Sequence, residues 1–143
     1  MEQGATQATV MLRVPDRLTS GVVETFCKSY IADKTNWRTM LKGAPESVDL
    51  NAVKQELLAK ISDDLDAVKQ EKGLQAVSEV EGPIFDIHYP VEEYPVKIKS
   101  INLDKTPAFE GVLKGVKGQY WLLDEDRVIN IRKYAGYQVE LAL

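Results

Sequence analysis

Gly82-Pro83-Ile84-Phe85-Asp86-Ile87-His88-Tyr89 is the stretch at which this chain changes its period. Upstream, apolar residues recur every three or four positions, the spacing of helices that bury one face. From here onward they alternate with polar ones. Phe85, Ile87 and Tyr89 alternate with Asp86 and His88, then Val96 and Ile98 with Lys97 and Lys99. Trp121 and Leu123 alternate with Tyr120 and Leu122, and Ile129 and Ile131 with Val128, Asn130 and Arg132. Turn formers separate these runs at Pro90, Pro95, Pro107, Gly115, Gly118, Asp124-Glu125-Asp126 and Gly136. Short strands with close turns predict a curled antiparallel β-sheet or small barrel. Gly111, Gly115 and Gly118 are natural places for bulges and sharp coiling. The expected class is α+β: an N-terminal strand and about three helices over residues 1–82, then an antiparallel β region over residues 83–143, together forming one compact unit.

Working back from Gly82, Leu50, Val53, Leu57 and Ile61 form the apolar face of a long helix capped by Ser47 or Asp49. Ser62-Asp63-Asp64 breaks it and caps a further helix through Leu65 and Val68, ending near Gly73. Thr35 and Asn36 are good caps for a short helix from Trp37 to Leu41, stopped by Gly43 and Pro45. Gly21 to Ala32 reads as a helix, with Val22, Phe26 and Tyr30 beside Val23, Cys27 and Ile31, and with Glu24 and Lys28 spaced to pair. Ala8 to Val14 reads as a strand ended by Pro15.

The composition is that of an ordinary globular chain: 143 residues, 44% hydrophobic, 28% charged, with a net charge of −4. That length buries enough surface to fold without a metal or disulfide staple. No apolar run is long enough to span a membrane, and Met1-Glu2-Gln3-Gly4 lacks the features of a secretory signal. A cytoplasmic protein with no membrane partner is expected. One cysteine, Cys27, and one histidine, His88, cannot form a disulfide or a Cys/His zinc site. No phosphate-cradling glycine motif occurs, and no cofactor is expected. Charge is uneven. Residues 46–81 hold nine acidic and four basic residues, a sum of −5, whereas residues 96–123 hold five lysines against Asp104 and Glu110, a sum of +3.

Two clusters carry recognisable chemistry. Asp33-Lys34-Thr35-Asn36-Trp37-Arg38 places two bases and an amide at a helix start, where Lys34, Asn36 and Arg38 form a candidate anion pocket. Lys117, Tyr120, Trp121, Arg132 and Lys133 interleave cations with rings, as a platform for single-stranded nucleic acid requires. Cys27 lies on an apolar helix stripe, where burial makes a thiol inert.

These stretches, with Glu2 to Ala8, Arg13-Val14-Pro15, Ser20-Gly21 leading to Glu24, and Met40-Leu41-Lys42, resemble an uncharacterised bacterial family catalogued as domain-of-unknown-function family 2797. In the second half Tyr94-Pro95, Ser100 to Lys105, Gly111 to Tyr120 and Asn130 to Lys133 resemble its C-terminal signature. Members of that family are longer, with an upstream cysteine-rich segment and a stretch like the opening hairpin of a GIY-YIG nuclease. The resemblance therefore implies a domain missing its front. In the GIY-YIG pattern a helical glutamate holds a metal ion, and Glu24 is the matching position. The tyrosines and arginine that pattern needs upstream are missing from this sequence. A lone carboxylate leaves an ion short of ligands and of a positioned nucleophile. The leading expectation is thus a non-catalytic domain binding nucleic acid or another anionic ligand. The alternatives are a fragment of a metal-dependent phosphodiesterase using Glu24, and a module that meets a protein partner through the acidic helices of residues 46–81.

Overall fold

A computed structural model describes residues 4–32, 35–43 and 45–142. In chain order the elements are β1 (Gln7–Thr9), β2 (Leu12–Arg13), α1 (Arg17–Cys27), α2 (Trp37–Met40), α3 (Leu50–Lys60), α4 (Ser62–Lys72), β3 (Ser78–Glu79) and β4 (Ile84–Asp86). They continue with β5 (Lys99–Ser100), β6 (Leu113–Lys117), β7 (Tyr120–Leu123) and β8 (Arg127–Asn130). The fold is α+β. Its contacts gather in two compact units. A helical unit comprises residues 7–35 and 46–87, and a sheet unit comprises residues 1–6, 36–45 and 88–143. The boundary follows contacts and not the change of period, because β4 pairs back onto β1.

In the helical unit the strand expected over Ala8 to Val14 is two pieces. β1 pairs antiparallel with β4, Gln7 opposite Asp86, and β2 pairs antiparallel with β3. The partner segments are separated by residues 80–83, and Pro83 has no N–H for a ladder, so the chain changes partner between Thr9 and Leu12. α1 starts before the expected Gly21 because Asp16 caps it, its Oδ1 accepting from Thr19 N at 2.7 Å. It stops at Cys27, leaving Tyr30 and Ile31 exposed. Asp49 caps α3, accepting from Asn51 N and Ala52 N at 3.0 Å. Gly73 ends α4 at φ +98°, a left-handed conformation that suits glycine. Val23, Cys27, Leu57, Leu58, Ile61, Leu65 and Val68 meet in this unit's core. Val53, expected on the buried face, is exposed. Its neighbour Lys54 is buried instead, running its stem along the core while its ammonium donates to Val80 O.

The sheet unit is built on one four-stranded sheet, ordered β5-β8-β7-β6. β6, β7 and β8 are antiparallel, as expected of this region, although β6 lies outside the alternating runs, and β5 runs parallel to β8. No described sheet closes into a barrel. Gly115 does sit at a bulge: the β6–β7 register slips between Leu113 and Gly115. A Cβ there would stand 2.7 Å from Val91 Cα, so glycine is what lets the Val91 segment bridge to β6. Met40 and Leu41 pack on Tyr120, Leu122 and Val128 to form this unit's core.

Candidate ligand-binding site

The β6–β7 hairpin turns through Gly118 and Gln119, with Gly118 at φ +59°. That turn sets Lys117 directly opposite Tyr120, so their side chains share one face of the sheet. α2 and the turn after it are attached to this pair. The Trp37 indole stacks on the Tyr120 ring, with centroids 5.6 Å apart and planes within 5°. The Arg38 guanidinium lies over the same indole, 4.5 Å from its centroid. Lys117 Nζ donates to Gly43 O at 2.7 Å.

Asn36 fixes the start of this arrangement. Its Oδ1 accepts from Arg38 N at 3.1 Å and Thr39 N at 3.3 Å, so the amide oxygen serves as the cap of α2. Asp33 and Lys34, the other ionic members of that cluster, lie outside the described residues. Arg38 is exposed, and no carboxylate pairs with it among the described residues. Trp37 is half-buried.

Below the stack, Asn130 Nδ2 donates to the Tyr120 hydroxyl at 3.3 Å. Asn130 Oδ1 accepts from Lys133 N and caps the short helical turn Ile131–Tyr134. Sequence reasoning passes over Asn130 as a site residue. Its signal is that of a cap residue directly before a basic turn. Arg132 is exposed on that turn. Lys133 is exposed but engaged: its Nζ lies 3.4 Å from Tyr134 Oη, 3.4 Å from Asn102 Oδ1 and 3.6 Å from Asp104 Oδ2. The hydrogen bond with Tyr134 pushes the Lys133 pKa up, with Asp104 adding to it. The Tyr137 hydroxyl, donating to Asp104 at 2.7 Å, holds that carboxyl below its usual range.

Lys117 is fully buried. The Tyr94 and Tyr89 ring centroids lie 5.1 Å and 5.7 Å from its ammonium, and no carboxylate pairs with it among the described residues. Burial pushes its pKa down. Tyr120 is also buried, whereas Trp121, one residue on and therefore on the opposite face, is half-buried. The structure thus gathers Arg38, Asn36, Tyr120 and Lys117, and ties Lys133 to them through Asn130. Trp121 stands apart from that group.

In the helical unit Glu24 is exposed, its Oε1 4.0 Å from Lys28 Nζ, the pair that the spacing predicts. Among the described residues no three of His, Cys, Asp and Glu gather as a metal cluster. Cys27 is buried, which pushes its thiol up, with the Glu24 charge adding to the effect. His88 is exposed in the sheet unit. On the acidic helices Asp66 pairs with Lys69 at 3.0 Å, while Asp63 and Asp64 lie exposed in the first turn of α4. No helix among the described residues is long and apolar enough to cross a membrane.

Residues 1–139 match the family described as "Protein of unknown function (DUF2797)", and the chain belongs to that family. No curated protein and no solved structure matches it.

Proposed function

We propose that this family member is a non-catalytic binding domain whose sheet unit takes single-stranded nucleic acid at the surface formed by Arg38 and Trp37. One observation carries the reading: an exposed guanidinium stacked on an indole, with no carboxylate paired to it among the described residues. A guanidinium is planar and permanently charged. It keeps N–H donors along its edge for a phosphate while its plane stacks with flat groups. Bases in single strands are held by such stacking on aromatic rings and arginine planes, with nearby cations following the backbone. The +3 sum over residues 96–123 supports the same choice of ligand. Lys133 contributes less than a free lysine, because Asp104 already offsets its charge. Lys117 and Tyr120 are buried, so their part is to support the surface and not to touch the strand.

The test is a titration of the full chain against fluorescein-labelled single-stranded oligoadenylate over a range of salt concentrations. Affinity falls as salt rises, because binding releases counterions from the phosphates. Arg38→Ala weakens binding by about tenfold, the worth of one stacked base. Wild-type binding that is absent, or indifferent to salt, overturns the reading. Magnesium-dependent cleavage of the same oligonucleotide, lost in Glu24→Gln, would replace it with the enzymatic one.

A further inference from the structure

A buried ammonium with no carboxylate to meet it is costly, since desolvation is repaid only by what it can bond. At position 117 an apolar side chain of similar length would fill the same space without that cost. What a lysine adds here is its ammonium's contact with the Tyr94 and Tyr89 ring faces and the hydrogen bond to Gly43 O at 2.7 Å, and of these it is the hydrogen bond that reaches the turn after α2. α2 has four residues, too few to hold a helix by itself. Its pose must therefore come from its attachments. Trp37 on Tyr120 fixes the start, and Gly43 on Lys117 fixes the turn just after the end. Because Lys117 and Tyr120 are cross-strand partners, both attachments rest on one rung of the sheet. The lysine stem is also wedged in place. A Cβ on Gly4 would lie 3.4 Å from Lys117 Cε and would collide with Met40.

We infer that Lys117 is the positioning residue of the Arg38 surface: its buried ammonium, through Gly43, sets the pose in which Trp37 and Arg38 meet a ligand. The inference rests on the proposed binding role of that surface. It separates two jobs that a buried residue usually combines. Packing is served by the stem, and any apolar residue of that length can supply it. Lys117's part in orientation is served by the Nζ bond.

Lys117→Met in the full chain is the decisive variant, read with the labelled oligoadenylate. The expected result is a melting temperature equal to or above that of the wild type, with binding weakened about tenfold through lost preorganisation. Combined with Arg38→Ala, Lys117→Met costs nothing further, because Lys117 acts only through the pose of Arg38. In a Trp121→Phe background Trp37 is the sole tryptophan, and the near-ultraviolet circular dichroism of its stack on Tyr120 diminishes when Lys117 is replaced. A Lys117→Met protein that binds as the wild type does, while Arg38→Ala binds weakly, overturns this inference and leaves the binding role standing. Arg38→Ala binding as tightly as the wild type overturns the binding role itself. If Lys117→Met fails to fold, Lys117→Leu carries the same comparison. Failure of both to fold also overturns the inference, since it would make the ammonium a requirement of the core.

Discussion

Burial lowers the pKa of Lys117 from its ordinary 10.5, and its ammonium faces the Gly43 carbonyl and the rings of Tyr89 and Tyr94, neutral groups that return only part of the lost solvation. Between the lowered value and 10.5 the unfolded chain holds a proton that the folded chain has released. Stability therefore rises with pH through that window. Tyr89 acts in the opposite sense. Burial, with Tyr94 adding to it, raises its pKa above 10.0, so above about that pH the unfolded chain ionises first and stability falls. Urea midpoints measured from neutral pH towards 10 should therefore climb in the wild type relative to Lys117→Met. Parallel pH profiles for the two proteins would refute the argument. Lys117 is also the residue whose setting was least legible in advance. Its sequence context, between Val116 and Gly118 in a lysine-rich hairpin, is that of an exposed strand end. Nothing local announces that Gly43 and two tyrosines will close over it, because those contacts come from 74, 28 and 23 positions away along the chain.

At the scale of elements, the β7–β8 turn stores strain that its sequence displays. Glu125 and Asp126 both sit at positive φ, 55° and 65°, between Asp124 and Arg127, where the Arg127 N–H donates to Asp124 O at 3.1 Å. Two consecutive left-handed residues are the pattern that asparagine and glycine fit best. Asp126 is held there by a second duty, accepting from Val96 N at 2.7 Å. Glu125→Asn is expected to stabilise the chain by about 0.5–1 kcal/mol in urea unfolding, since asparagine enters that region at lower cost. Gly115 shows the opposite case. Gly115→Ala would press a Cβ against Val91 Cα at 2.7 Å and Pro90 O at 2.9 Å, both backbone atoms. A loss of about 1–3 kcal/mol is expected from this overpacking, measured in the same way. Turn chemistry was legible at both places, because it depends on neighbours in sequence. Strand partners were not. That β1 pairs with β4, and that β5 lies parallel to β8, is decided by segments far apart in the chain.

Over the whole molecule, acidic charge collects in residues 46–81 of the helical unit, while residues 96–123 of the sheet unit carry the positive excess. A strand of nucleic acid bound at Arg38 should not need the acidic helices. Reversing the exposed pair, Asp63→Lys with Asp64→Lys, should leave affinity for oligoadenylate unchanged or raise it, because the chain's net charge becomes less negative. A clear loss of affinity in that titration would move the binding surface onto α4. A pull-down in which these reversals release a partner protein would favour the interaction-module reading.

The sequence by itself determined the α+β class, the pairs of residues from which the caps of α2 and α3 come, the glycine stops and bulge, the turn at residues 124–126 and the family. Each depends on local conformation, hydrophobic period or a stretch of residues read in order. Only the tertiary structure decided that Lys117 and Tyr120 lie inside, that Asp104 takes up Lys133, and that Arg38 stands exposed over Trp37. Alternation along a strand says which residues share a face, but not which face is covered. That depends on where α2 comes to rest, and α2 is held by contacts with residues that the sequence keeps far apart.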